Sequence, residues 1–115
     1  MNLQEIIAAL ELQLMTSPIE LSTVTPTGGY SSDLLSCVMA GARQGDLWIT
    51  LQGHLNVVAV AALLDLSAVI ITEGVQPDSA VLQKAEEQSI ILLGSPQPSY
   101  VVCGRLWELG LRPHE

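Results

Sequence analysis

Between Leu47 and Gly74 the chain reads strand, turn, buried helix, strand, and a chain built on that unit has few ways to fold. Leu47 to Leu51 and Ser67 to Thr72 are short apolar runs, and Val69-Ile70-Ile71 lacks polar alternation, as a strand covered on both faces should. Between them Asn56 can cap Val57-Val58-Ala59-Val60-Ala61-Ala62-Leu63-Leu64, a run apolar on all sides. Such a helix is expected to lie between the sheet and a second surface, for which another subunit is a candidate. A right-handed crossover returns the chain in the same direction, so Gln52-Gly53-His54 and Thr72-Glu73-Gly74 should share one edge of a parallel sheet. Open α/β sheets place their ligands at that edge. Ile90 to Leu93 repeats the buried-strand pattern, and Trp48, Val69 and Ile90 are spaced 21 residues apart, the rhythm of consecutive βαβ units. The expected class is α/β, a three-layer α/β/α arrangement with a mainly parallel sheet of four to five strands.

The flanks can be placed around this unit. Asn2 with Glu5 resembles a capping box, and Leu3, Ile6, Ile7 and Leu10 recur at helical spacing, which predicts a first helix to about Glu11. Leu12 to Met15 is a candidate strand, Thr16-Ser17-Pro18 a turn, and Glu20 to Thr25 another strand that Pro26 limits to an edge or an early end. Gly28-Gly29 is expected as a turn that permits positive φ or a close backbone approach before Ser31-Ser32-Asp33, which has the composition of a helix start, and Leu34, Leu35, Val38, Met39 and Ala42 continue that helix. Arg43-Gln44-Gly45 ends it. Pro77-Asp78 opens a helix with Val81, Leu82 and Ala85 inward and Gln83, Lys84, Glu86, Glu87 and Gln88 toward water. Ser95 to Ser99 is a Pro-rich loop, Val102, Leu106 and Leu109 mark a last helix with Trp107 beside them, and Leu111 to Glu115 a frayed end. With 115 residues this is one domain: a helix and turn over residues 1–19, a core over 20–111 and a tail over 112–115.

Hydrophobic residues make up 49% and charged ones 14%, with mean hydropathy +0.42, so part of the surface is expected to be covered by a partner copy. A net charge of −8 repels polyphosphate backbones, and the four aromatic rings are scattered, which argues against nucleic acid. The N-terminus has no basic leader, and the longest apolar run, Val57 to Leu64, is far short of the ~20 residues that span a bilayer, so a cytoplasmic location away from membranes is expected. Cys37 and Cys103, far apart in sequence, are expected as reduced thiols on or beside the apolar stripes of their helices.

Strand ends nominate the candidate site: Ser31, Ser32, Asp33, Gln52, Gly53, His54, Asn56, Thr72, Glu73 and Gly74, with Ser95 nearby. Amides at Ser31 to Asp33 could hold an anion at a helix start, although ordinary capping by Ser31 or Ser32 explains the same residues. A metal at His54 with Asp33 or Glu73 lacks a third strong ligand, since His114 is in the tail. Ser32, His54 and Glu73 could form a triad on paper without the elbow that usually presents the serine, and neither a complete phosphate loop nor a dinucleotide fingerprint is present. No cofactor is expected.

Two stretches, Ser32-Asp33-Leu34-Leu35-Ser36-Cys37-Val38-Met39 and Gly45-Asp46-Leu47-Trp48-Ile49-Thr50-Leu51-Gln52-Gly53-His54-Leu55-Asn56-Val57-Val58-Ala59-Val60-Ala61, occur together and in order. In this the chain resembles a DRTGG domain, over about Glu20 to Leu111. Domains of that family occur in phosphate acetyltransferases and CBS-containing pyrophosphatases and as stand-alone copies, and their fold is similar to the N-terminal domain of the kinase/phosphatase of the histidine-containing phosphocarrier protein. The resemblance implies a non-catalytic regulatory or assembly module, commonly dimeric, whose surroundings in the pyrophosphatases sense adenine nucleotides. Implied partners are a second copy, a small nucleotide or anion, and a partner enzyme or regulator. The chain departs from the family pattern in carrying His54-Leu55 where relatives have Asp-Arg, and Thr72-Glu73-Gly74 for Thr-Gly-Gly, which weakens the case for phosphate recognition at this edge.

Overall fold

Strand β3 (Asp46–Thr50) runs parallel to β4 (Ala68–Ile71), with Trp48 beside Val69, so the expected βαβ unit is present. In this computed structural model, which describes residues 1–17 and 20–113, β2 (Gly28–Ser31) and β5 (Leu92–Gly94) extend the parallel sheet, and β1 (Gln13–Leu14) pairs antiparallel with β5. The spatial order is β1-β5-β4-β3-β2. Because β2 to β5 follow one another across the sheet, right-handed crossovers must place every connecting helix on the same face. That face carries α2 (Leu35–Gly41), α3 (Leu55–Leu64) and α4 (Ser79–Gln88). The opposite face is left to α1 (Leu3–Leu10) and α5 (Ser99–Glu108), which come from either side of the βαβ series. The result is the three-layer α/β/α arrangement.

The pleat divides the core accordingly. Trp48, Val69, Ile71 and Leu92 pack with Val38, Val57, Val58, Ala61, Val81 and Ala85 under α2 to α4. Leu47, Ile49, Ile70 and Leu93 pack with Leu3, Ile6, Leu10, Val102 and Leu106 under α1 and α5. Every residue of β3, β4 and β5 is buried, which accounts for the apolar runs Leu47–Ile49, Ala68–Ile71 and Leu92–Leu93 within them. At ~1.5 to 3 kcal/mol per fully buried aliphatic side chain, these strands carry much of the stability. Helix α1 begins with the expected capping box: Asn2 Oδ1 accepts from the Glu5 amide and Glu5 Oε1 from the Asn2 amide, both at 2.9 Å. Asp78 caps α4 by accepting from the Val81 amide at 3.1 Å.

Several expectations are corrected. Residues 20–25 are not a strand; Leu21–Thr23 forms a 3-10 turn, and the Val24 carbonyl accepts from the Leu3 amide at 2.7 Å. Gly28-Gly29 is not a turn but the start of β2, where Gly29 pairs with Leu47. Helix α2 starts at Leu35 rather than at Ser31 to Asp33, and its N-cap residue Leu34 offers no side-chain cap. Val38 faces the core as expected, while Cys37, one position and about 100° away on the helix and expected on or beside the apolar stripe, is exposed. Gly41 closes α2 earlier than expected, with an extended cap at Ala42. Ile90 precedes its strand, and Leu92 is the partner of Val69. Leu111 is not frayed: its amide donates to the Leu106 carbonyl at 3.0 Å, and its side chain packs on the α1/α5 core. Pro18 of the expected turn, and His114 and Glu115 of the tail, lie outside the described residues.

Candidate functional site at the strand ends

The C-terminal ends of β2 to β5 face one way, so the loops after them form a common rim. Asp33, in the β2–α2 loop, reaches over the end of β3: its Oδ1 accepts from Thr50 Oγ1 and from the Leu51 amide, both at 2.8 Å. Thr50 Oγ1 accepts in turn from the Gln52 amide at 3.1 Å, and the Thr50 carbonyl accepts from the Thr72 amide at 2.9 Å. At the end of β4, Thr72 Oγ1 shares a hydrogen bond of 2.6 Å with Ser99 Oγ. Glu73 Oε2 accepts from the Ser99 amide at 3.1 Å, an anion at the first turn of α5. The Glu73 and Gly74 amides donate to the Gln97 and Ser95 carbonyls. Asp33, Thr50, Thr72, Glu73, Ser95 and Ser99 are thus joined across three strand ends.

Two glycines set how closely the loops approach. A Cβ on Gly53 would stand 2.9 Å from Val75 Cγ1, so the β3–α3 loop can meet the β4–α4 loop only without a side chain there. Gly74 has open space but φ of +72°, next to Glu73 at +61°, and the Val75 amide donates to the Thr72 carbonyl at 3.2 Å. Successive positive φ values make this a tight turn for which Gly is suited and Glu is not.

Ser31 is the exposed last residue of β2, and Ser32 follows it in the loop. The Ser32 amide, expected to face an anion, instead donates to the Ile49 carbonyl at 3.3 Å. Ser32 Oγ accepts from the Leu34 amide at 3.1 Å, and its carbonyl from Trp48 Nε1 at 2.9 Å. Helix α3 is capped by His54 rather than Asn56: His54 Nδ1 accepts from the Asn56 amide at 3.1 Å, which puts the proton of the neutral ring on Nε2. Gln52 Nε2 donates to the Asp33 carbonyl at 3.4 Å. Ser32, His54 and Glu73 each bond to backbone and not to one another, so the paper triad is not assembled. Among the described residues no group of three or more His, Cys, Asp or Glu is placed to hold a metal ion, and no helix is long and apolar enough to cross a membrane.

Sequence reasoning missed Thr50, Gln97 and Ser99 as members of this network; a buried threonine closing a parallel strand was the available signal for Thr50. It also missed a cavity of about 190 Å³ between edge strand β2 and α5, lined by Gly29, Ser31, Ile49, Leu106, Trp107 and Leu111 among others. Gly29, facing this space without a side chain, leaves room for it. Arg112 stacks over the Trp107 ring at 4.2 Å to the centroid.

No family model matches the chain, and no curated protein matches it. Among solved structures it is similar to the crystal structure of the CBS and DRTGG domains of the regulatory region of Clostridium perfringens pyrophosphatase, complexed with activator, diadenosine tetraphosphate. The likeness has a TM-score of 0.75 at 18% identity and covers 90% of this chain. The fold is DRTGG-like. This chain spans 45% of the pyrophosphatase structure, less than half of its length. At that identity the likeness describes how the DRTGG-like chain is built, and the rim described above is a property of its own residues.

Proposed function

We propose that this chain is a regulatory or assembly module rather than a catalyst, that it works in the cytoplasm as a homodimer, and that a small ligand sits at the rim formed by Ser31 to Asp33, Gln52 to His54, Asn56 and Thr72 to Gly74. The observation that carries the reading is a preorganised polar rim on a DRTGG-like fold. His54 and Gln52 lie on it in reach of solvent, and Gly53 and Gly74 bring the backbone close. The similar pyrophosphatase region holds a dinucleoside tetraphosphate as activator, which favours an adenine nucleotide as first candidate. Non-catalysis is supported by the use of Ser32, His54 and Glu73 as backbone anchors.

A thermal-shift panel of adenylates, diadenosine tetraphosphate, phosphate and pyrophosphate tests the ligand. At 100 times its dissociation constant a ligand stabilises by about 2.7 kcal/mol, so an upward shift that weakens in Gln52→Ala is the expected result. The absence of any shift at millimolar ligand removes the sensor. A second reading, assembly without a ligand, is favoured by one observation: both rim carboxylates, Asp33 and Glu73, accept hydrogen bonds from the chain itself.

A further inference from the structure

We infer that two copies of this chain meet through the outer face of α2 and α3, an inference that rests on the homodimeric reading above and names its surface. None of the seven residues of α2 or the ten of α3 is charged, in a chain whose net charge is −8. On the outside of α3, Leu55, Ala59 and Leu63 recur every fourth residue, with Leu55 at 42% and Leu63 at 69% exposure. Met39, at 44% exposure, stands with exposed Ala40 on the neighbouring α2, and the two helices are in contact. The third helix on this side of the sheet behaves differently, since α4 shows Lys84, Glu86 and Glu87 to water. Charges return only at the borders of the patch, with Asp33 before α2 and Arg43 and Asp65 after the two helices. A charge-depleted centre containing Met and Leu inside a polar rim is the composition of an interface and not of a solvated helical face.

Charge also selects the occupant. A partner drawn by electrostatics to so acidic a molecule would dock on the carboxylates, which lie outside the centre of this patch. A two-fold contact sets the same patch against itself, so a surface carrying charge of one sign repels its copy and a neutral one does not. With charges screened over about 8 Å at physiological salt, two molecules of net charge −8 repel least where a neutral face keeps their carboxylates apart. The small side chains Ala40 and Ala59 allow close helix approach. A standard interface takes about 800 Å² from each copy, roughly an eighth of this molecule's 6071 Å². That is the scale of one side of a body measuring 34 × 29 × 26 Å.

The test uses the full chain in sedimentation velocity across micromolar concentrations, with Leu63→Glu and Ala59→Glu as separate variants and Trp107→Glu as a control at the β2/α5 cavity. Alkylation of Cys37, exposed in one copy, is followed in the unmutated protein against Cys103 on the other side of the sheet. The expected result is a dimer whose dissociation constant rises at least a hundredfold in Leu63→Glu and Ala59→Glu but less than threefold in Trp107→Glu. Cys37 alkylation should slow at least tenfold as the dimer fills, with Cys103 unchanged. A dimer that persists in both glutamate variants while Cys37 reacts at the same rate at every concentration overturns the surface and leaves the homodimer standing. A monomer at every concentration of the micromolar series overturns both.

Discussion

Replacing Asp33 by Ala removes the acceptor that ties the β2–α2 loop to the end of β3. Two donors lose it, Thr50 Oγ1 and the Leu51 amide, each at 2.8 Å. They do not lose equally. Leu51 lies at the surface, where water can replace the carboxylate, whereas Thr50 is fully buried and its hydroxyl would be left without that acceptor. A stranded buried donor costs about 1 to 3 kcal/mol and a rehydrated one a few tenths, so the expected loss is ~2 kcal/mol. With an unfolding entropy of about 2.1 cal/mol/K per residue, a chain of 115 residues loses ~4 °C of midpoint per kcal/mol, here ~8 °C. Asp33→Asn keeps the oxygen without its charge and should lose about half as much. Thermal and urea unfolding followed by circular dichroism reads these shifts, and a double-mutant cycle with Thr50→Val should give a coupling of about 1 kcal/mol. If the two substitutions add to within ~0.3 kcal/mol, the carboxylate is not what secures the strand end, and the description of the rim as a joined network is wrong.

The two rim glycines should separate crowding from backbone strain. Gly53→Ala, whose Cβ meets Val75 at 2.9 Å, is expected to destabilise by ~1 to 3 kcal/mol and to recover in part in Gly53→Ala/Val75→Ala. Gly74→Ala, with open space but φ of +72°, should cost about 1 kcal/mol and gain nothing from Val75→Ala, both read from urea midpoints. His54→Ala should cost ~1 kcal/mol by uncapping α3, and His54→Asn should restore most of it; equal stability of all three proteins in the same assay would show that the Nδ1 contact contributes nothing.

How much could be read beforehand differs from strand to strand for physical reasons. β3, β4 and β5 declare themselves because both of their faces are buried, which makes their central residues apolar without alternation. β2 does not: Gly28-Gly29 is a poor strand by local preference and becomes one because it pairs with Asp46 and Leu47. The converse holds at Glu20 to Thr25, whose β-branched residues favour a strand locally but have no neighbour to pair with and close into a 3-10 turn. The position of the rim followed from strand direction, which depends on handedness rather than on fine detail. The partners of its side chains did not, because a hydrogen bond such as Asp33 to Thr50 depends on loop paths that small shifts redirect. His54 in place of Asn56 as the cap of α3 is a shift of two positions in a helix start, because either residue type can accept from a first-turn amide.

The antiparallel strand at the sheet border has a bearing on the route by which the chain folds. Gln13 lies opposite Gly94, 81 positions later, whereas Trp48 and Val69 are 21 apart. Closing the longer segment costs ~1 kcal/mol more in chain entropy, and the strand itself returns only two paired residues. The border strand should therefore pair last, as a latch on a sheet already assembled. Pulsed hydrogen exchange during refolding should find the amides of β3 and β4 protected before that of Met15, and simultaneous protection would mean that the border strand belongs to the nucleus.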